Sequence, residues 1–325
     1  MIIFNGNQLA NTREEQLKNK IVTQFVGKKL TIAAVLFVED AGSNLYTRLK
    51  GEAADRVGIE YKVHNFSLSD STEKIQTKLA ELNNDLEVTG IIIQKPWRKT
   101  WVKAKGDEFA QQLLDQENPK KYEREQYALW WNSLTRKISE SKDVDGLHPN
   151  TISQIKDGTW QENNKVLPAT CQAVLTILQE AEKELVARVG ESKKIQSFTK
   201  GKYIVLGKSD LLGVPLFYEL QRQGKDVEIL ASKELKERMQ SGQKLLDAAV
   251  IVSATGRKNL VTGDMVSDNV MVIDVGEPAA DVDFQSVAKK AAFITPVPGG
   301  VGPMTVISLL ENCTELANMK IKNEG

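Results

Sequence analysis

Tyr203-Ile-Val-Leu-Gly207-Lys-Ser-Asp-Leu-Leu-Gly213-Val-Pro215 is the stretch that decides the fold class. A short β-branched run ends in one glycine and then enters a segment with helical spacing. The free N–H groups and dipole of such a helix favour a phosphate. The turn is not a standard G-x-G-x-x-G, because Ser209 stands where the second glycine would be. The same strand–glycine–helix turn also serves plain packing, so neighbouring segments have to decide between the two uses.

Downstream, residues 211–223 read as a helix, and Asp226–Leu230, Ala248–Ser253, Val270–Val275 and Ala291–Ile294 read as strands. A closing helix is expected at about 304–319. This is the doubly wound, Rossmann-like nucleotide-binding pattern. Upstream, a helical pattern at 7–27 precedes a buried strand at Lys29–Val38 and a helix at 43–57. Tyr61–Leu68 then reads as a strand, Ile75–Leu82 as a helix and Gly90–Gln94 as a short buried strand. Strand and helix alternating in this way imply right-handed crossovers and a parallel sheet. Residues 95–141 break the rhythm. They carry four of the five tryptophans among many charges, and one or two surface helices are expected there. Lys142–Asn150 is a turn-rich junction, followed by a helix from about Thr170 to Val189.

The bulk properties restrict function. The 325 residues suffice for two domains with their own cores, and Lys plus Arg equals Asp plus Glu at 43 each. A balanced charge argues against a general nucleic-acid binder. Ile32–Val38, the longest apolar run near the start, is too short to span a bilayer and has no charged leader before it. A cytoplasmic protein without membrane or nucleic-acid partners is expected. Cys171 and Cys313, with only His64 and His148 beside them, suggest neither a disulfide framework nor a metal site.

The strand after the first nucleotide turn ends in Ala231-Ser232-Lys233 rather than in the acidic residue that grips a ribose diol. Lys208, Ser232 and Lys233 suit a 2′-phosphate better, which favours NADP over NAD. Ala254-Thr255-Gly256 and Asp274-Val275-Gly276 place small residues at two further strand ends, where ligands sit in open α/β sheets. In the first half, Tyr46 and Lys50 are four apart and share a helix face. They are either a proton-transfer pair or a core tyrosine and a surface lysine. Asp143 and Asp145, before Gly146, are either turn formers or site carboxylates.

Four segments, read with the nucleotide turn, resemble the bifunctional methylenetetrahydrofolate dehydrogenase/cyclohydrolase family. They are Ser43-Asn-Leu-Tyr46-Thr-Arg-Leu-Lys50, Gly90-Ile-Ile-Ile93-Gln94-Lys95-Pro96, Lys142-Asp-Val-Asp145-Gly-Leu-His148-Pro, and Thr295-Pro296-Val-Pro298-Gly299-Gly300-Val-Gly-Pro-Met-Thr305. The resemblance implies an α/β fold of two domains with an interdomain cleft: 1–149 plus 296–325 as the folate-binding catalytic domain and 150–295 as the NAD(P)-binding domain. It implies oxidation of 5,10-methylene-tetrahydrofolate with NADP and hydrolysis of the methenyl product to 10-formyl-tetrahydrofolate. An NAD-preferring or monofunctional dehydrogenase, or a non-catalytic binding protein of the same fold, are the alternatives.

By the same resemblance, Lys50 is the central residue of the hydrolytic step, a neutral amine acting as general base provided that burial lowers its pKa. Tyr46 and Gln94 orient it, and Asp145 binds the paired N–H donors of the pterin edge. Asp143 is expected to be a turn former and His148 structural. Ile93, Lys95, Pro296, Pro298, Gly299 and Gly300 are expected to line the folate. Gly207, Lys208, Ser209, Ser232, Thr255, Gly256, Gly276, Glu277 and Thr295 are expected to line the cofactor. A homodimer and tetrahydrofolate one-carbon derivatives are the implied partners, and no metal is implied. A cis peptide is expected at Gly302–Pro303. The chain departs from the family in an insertion at about 97–135 and in Lys95, Trp97 and Arg98, which stand near the folate mouth.

Overall fold

The computed structural model describes residues 1–189, 201–276 and 279–324. In chain order, the first half holds β1 (Ile2–Ile3), α1 (Gly6–Gln24), β2 (Leu30–Phe37), α2 (Ala41–Val57), β3 (Ile59–Phe66), α3 (Thr72–Asn84) and β4 (Gly90–Ile93). The insertion follows as α4 (Arg98–Ala104), α5 (Gly106–Leu114) and α6 (Pro119–Thr135), and then come α7 (Pro149–Asp157) and α8 (Ala169–Val189). The second half holds β5 (Lys202–Leu206), α9 (Gly213–Arg222), β6 (Val227–Leu230), α10 (Ser232–Gln240), β7 (Ala248–Ser253), β8 (Met271–Asp274), α11 (Phe284–Val287), β9 (Phe293–Ile294) and α12 (Val301–Glu324).

The chain forms two compact units. One comprises Glu14–Ser153, Gln161–Val166 and Leu309–Gly325. Its sheet is parallel, in the order β3-β2-β4. All eight residues of the central strand β2 are buried, as expected of a parallel strand covered on both faces. Gly90 sits where β4 meets the Lys142–Asn150 junction. A Cβ there would stand 2.1 Å from Val144 Cγ1, so only glycine permits the approach. Helix α2 begins at Asp40, whose side chain accepts the Ser43 N–H, and ends at Gly58, whose φ of 85° needs the left-handed region.

The insertion differs from the expected surface helices. Its three helices enclose an aromatic cluster in which Trp101, Tyr127, Trp130 and Trp131 are all buried. Trp130 lies 5.3 Å from the Phe37 ring at the end of β2, 5.7 Å from Trp101 and 6.4 Å from Trp131. Charged residues dilute the helical periodicity of this stretch, and the burial comes from large rings rather than from a continuous apolar stripe.

The other unit comprises Met1–Arg13, Gln154–Trp160 and Leu167–Ser308. Its six-stranded sheet runs β1-β9-β8-β7-β5-β6, and every pairing is parallel. Chain order reverses between β5 and β7, the topological switch point at which open α/β sheets bind ligands. The edge strand β1 was not anticipated from the sequence. Ile2 pairs with Phe293 and Ile3 with Ile294, and the Gly6 N–H donates to Gly299 O at 3.0 Å. These contacts group the first residues, and the loop before α12, with the nucleotide sheet. The compact units therefore divide the chain differently from the 1–149 plus 296–325 and 150–295 division drawn from sequence. Helix α10 was also not anticipated, its sequence being almost wholly polar. The cis peptide falls at Val297–Pro298 and not at Gly302–Pro303; Pro303 lies inside the helical turns of α12. No helix among the described residues is long and apolar enough to cross a membrane.

Removing the central ring of the insertion should cost the fold heavily. Trp130→Ala is expected to lower unfolding free energy by roughly 3–5 kcal/mol, the usual loss for a truncated buried aromatic. Urea titration against wild type measures it, and a loss below about 1 kcal/mol would show that the cluster does not support the sheet.

Candidate active site

In the first unit, four side chains from separate elements meet at the carboxyl ends of β2 and β4. Helix α2 buries Ser43, Thr47, Lys50, Ala53, Ala54 and Val57, so Lys50 lies on its inward face. Gln94 follows β4, and its N–H continues the sheet by donating to Val35 O at 2.9 Å. Its side chain faces the helix, and Lys50 Nζ donates to Gln94 Oε1 at 3.0 Å. Both residues are buried, at 8% and 5% exposure. The surface alternative for Lys50 is thereby excluded.

Gln94 Nε2 in turn donates to Tyr61 Oη at 3.3 Å. Tyr61 had been read only as a strand residue, and its place in the site follows from register, which pairs it with Ile32 on β2. Burial pushes the Tyr61 phenol far above its ordinary range, the charge of Asp145 adds to the rise, and Gln94 opposes it. Tyr61 is thus a neutral hydroxyl, and Asp145 lies close enough to act on it electrostatically. Tyr46 is half-buried one helical turn before Lys50.

The loop after Gln94 is anchored to the start of α2. Asp40 is buried, and its Oδ2 accepts from Ser43 N and Ser43 Oγ at 3.0 and 2.7 Å. Its Oδ1 accepts from Trp97 N and Thr100 Oγ1 at 3.1 and 2.9 Å. One carboxylate therefore joins the lysine-bearing helix to the insertion. No motif announced it. Lys95 stands over the Trp131 ring at 5.0 Å, and Arg98 pairs with Glu123 at 2.6 Å. Ile93 is buried in β4.

Asp143 is a turn former, as expected. Its carboxylate accepts from Leu147 N and His148 N at 3.1 and 2.8 Å, and so orients the turn that carries Asp145. His148 is buried, and its Nδ1 accepts the Asn150 N–H at 3.1 Å.

In the second unit, the nucleotide turn follows β5. Gly207 has φ 108°, and a Cβ there would meet Ala254 O at 2.5 Å. A Cβ on Gly213 would stand 1.9 Å from Gly207 O. Only glycines allow so tight a passage from strand to helix, and no side chain caps α9. Of its first four residues, Pro215 has no N–H, and the Val214 and Leu216 N–H groups donate to Ser209 O and Leu212 O at 3.0 and 2.8 Å, which leaves the Gly213 N–H for an anion.

The loop after β7 is held by Asp281, a fully buried residue that the sequence had not singled out. Its Oδ2 accepts from Ser253 Oγ, Thr255 N and Thr255 Oγ1 at 2.7, 2.6 and 2.9 Å, and its Oδ1 accepts from Arg257 N at 2.8 Å. Gly256, at φ 68°, remains exposed beyond it. Gly276 donates to Asp274 Oδ1 and packs on Asp281, leaving no room for a side chain. The Thr295 hydroxyl accepts from Asp274 N at 2.8 Å. Glu277 lies outside the described residues.

Lys208 pairs with Glu234 at 2.5 Å, and Arg257 Nη2 donates to Ser232 Oγ at 2.7 Å. Lys233 is 86% exposed and points to Glu237, so Arg257 rather than Lys233 is the second cation beside Ser232. Pro296, Pro298, Gly299 and Gly300 also belong to this unit. Gly299 has φ 96°, and a Cβ on Gly6 would meet Gly300 O at 1.9 Å, so the loop is locked against α1.

A parallel nucleotide sheet with an uncapped helix at its switch point, and a buried lysine–glutamine–tyrosine site in a second parallel sheet, define an α/β nucleotide-binding enzyme. The sequence matches the family model described as "Tetrahydrofolate dehydrogenase/cyclohydrolase, catalytic domain" over residues 4–112, and that described as "Tetrahydrofolate dehydrogenase/cyclohydrolase, NAD(P)-binding domain" over residues 168–321. "Bifunctional protein FolD" of Lactobacillus acidophilus is 31% identical over 322 residues, covering 97% of this chain and 96% of that protein. The solved structure of bifunctional FolD from Campylobacter jejuni superposes with a TM-score of 0.74 at 28% identity, covering 98% and 99% of the two chains. A methylenetetrahydrofolate dehydrogenase from the silkworm Bombyx mori superposes with a TM-score of 0.72 at 27% identity, with the same coverage. The chain belongs to the tetrahydrofolate dehydrogenase/cyclohydrolase family.

Complete burial pushes Asp143 up to about 6 from the ordinary 3.8, against the pull of the His148 and Leu147 N–H groups. A carboxyl raised in the fold stabilises it fully below its unfolded pKa, and that stabilisation is lost as pH rises through the folded value. Asp143→Asn abolishes this titration. The stability advantage of wild type over the variant should therefore shrink by as much as roughly 3 kcal/mol between pH 4 and pH 7. Paired urea titrations at the two pH values measure it, and a pH-independent difference would contradict a raised carboxyl.

Proposed function

We propose that the chain oxidises 5,10-methylene-tetrahydrofolate to the 5,10-methenyl form with NADP, and hydrolyses that product to 10-formyl-tetrahydrofolate. The observation that carries the hydrolytic half is the buried hydrogen bond from Lys50 Nζ to Gln94 Oε1. A lysine held in the interior by a neutral amide has a fixed direction. Acting in its neutral form, Lys50 takes a proton from the water that adds to the methenyl carbon. The bond from that carbon to N5 then breaks, leaving the formyl group on N10, and one proton is released overall. Gln94 and Tyr61 keep the amine aimed without placing a charge against the cationic substrate. Asp145 accepts the paired N–H donors of the pterin edge, and Tyr46 packs beside the ring. Ile93 and Lys95, with Pro296, Pro298, Gly299 and Gly300, complete the folate contacts in this reading.

The residues of the nucleotide unit fit a dinucleotide. The Gly207–Gly213 turn is one that any Cβ would fill, α9 is uncapped, and Lys208, Ser232 and Arg257 offer donors to a 2′-phosphate. Ser209, Thr255, Gly256, Gly276, Glu277 and Thr295 are the further cofactor positions in the same reading. When bound, NADP supplies the hydride acceptor for the oxidation.

Lys50→Met is expected to reduce methenyl hydrolysis by roughly 100-fold or more, the usual contribution of a general base, while NADP reduction continues. Absorbance of the methenyl product and of NADPH reports both steps in one cuvette. Undiminished hydrolysis would remove Lys50 from its role.

Family resemblance further supports a homodimer with a cytoplasmic working place. Light scattering on the purified chain should then report twice its 36.1 kDa, and a monomer at micromolar concentration would refute the dimer.

A further inference from the structure

The cluster at the carboxyl ends of β5, β6 and β7 contains both signs of charge, and the two signs ask for different ligands. Arg257, on the loop after β7, donates to Ser232 Oγ at 2.7 Å in the first turn of α10. Lys208, following Gly207, donates to Glu234 Oε1 at 2.5 Å, two residues further along the same helix. No side chain caps α10. The Arg257 backbone is itself fixed, because its N–H donates to the buried Asp281 at 2.8 Å. Arg257, Lys208 and Ser232 thus offer a phosphate two cations and a hydroxyl.

Glu234 offers the opposite. Its Oε1 is engaged with Lys208, while its Oε2 is buried and has no hydrogen-bond partner. A carboxylate in the first turn of the helix after the second nucleotide strand accepts from a ribose hydroxyl, which can donate, once its side chain turns that oxygen outward. A 2′-phosphate dianion has no proton to give it, and would sit against its negative charge. A lysine carries three donors, so Lys208 can hold Glu234 and a phosphate together, but the repulsion between those two partners persists.

We propose that Glu234 and Arg257 together read the 2′ position of the adenosine ribose, Arg257 favouring a phosphate there and Glu234 favouring a hydroxyl. Their balance sets the discrimination between NADP and NAD, and the chain accepts both. This rests on the nucleotide-binding reading of the second unit. Neither residue was singled out by sequence: the acidic residue is displaced from the strand end into α10, and Arg257 approaches from another loop.

Calorimetric titration of the full chain with adenosine 2′,5′-bisphosphate and with 5′-AMP tests it independently of turnover. Glu234→Gln should tighten the bisphosphate about tenfold and leave 5′-AMP within about twofold. Arg257→Gln should weaken the bisphosphate about tenfold with 5′-AMP again unmoved, and Arg257→Lys should recover part of the loss. The ratio of kcat/KM for NADP to that for NAD should move in the same directions. Both positions are partly or fully exposed, and equal unfolding midpoints will confirm intact folds. A bisphosphate to 5′-AMP affinity ratio unchanged in Glu234→Gln overturns the selector role of Glu234, and one unchanged in Arg257→Gln overturns that of Arg257. Wild type that binds neither nucleotide would instead overturn the nucleotide-binding reading itself.

Discussion

An amine inside a protein must find an acceptor, and one acceptor of Lys50 is an amide oxygen. The Lys50–Gln94 hydrogen bond joins residues 44 apart in the chain, and spans from the helix after β2 to the end of β4, two strands adjacent in the sheet. It exists only if α2 packs its inward face on the sheet and β4 pairs in register with β2. Asp40 and Gly58 fix the two ends of α2, and the Gly90–Val144 contact brings the Asp145 turn against β4. A carboxylate in place of Gln94 would satisfy the amine equally well, but would hold it as a cation. The amide adds no charge of its own beside the amine.

Buried carboxylates do the scaffolding in both units. Asp40 ties the insertion to α2, Asp143 orients the turn carrying Asp145, and Asp281 gathers the loop from Ser253 to Arg257. Asp274 accepts from Gly276, Asp281 and Val282. Each replaces several backbone donors' lost water with one acceptor group, which is the requirement for turning a loop inside a protein. Burial pushes Asp274 up to about 6, so for this group as for Asp143 the cost of desolvation exceeds what the surrounding N–H groups return.

Much of this architecture is legible in the sequence. The β-branched runs at 202–206 and 248–253 and the helical spacing around them announce the doubly wound sheet, because parallel strands buried on both faces are apolar throughout. Lys50 and Gln94 are legible only through the family motif, since spacing alone left Lys50 equally at home on the surface. What escaped was whatever depends on contacts between distant segments. Tyr61 enters the site through strand register, Asp281 and Arg257 through loop packing, and β1 is two residues long and meaningless without β9. The tryptophans of the insertion read as surface decoration because the partners that bury them, Phe37 and one another, lie on different elements.

That aromatic cluster gives the molecule a built-in optical bias. Trp101, Trp130 and Trp131 stand within transfer distance of each other, whereas Trp160 is solitary in the other unit, its indole N–H directed to Glu219. Excitation near 295 nm therefore illuminates chiefly the inserted helices. An emission change on heating or in denaturant reports chiefly on the unit that carries those helices, and only Trp160 speaks for the nucleotide sheet. Circular dichroism, which weighs every helix, is the fair witness to the whole chain.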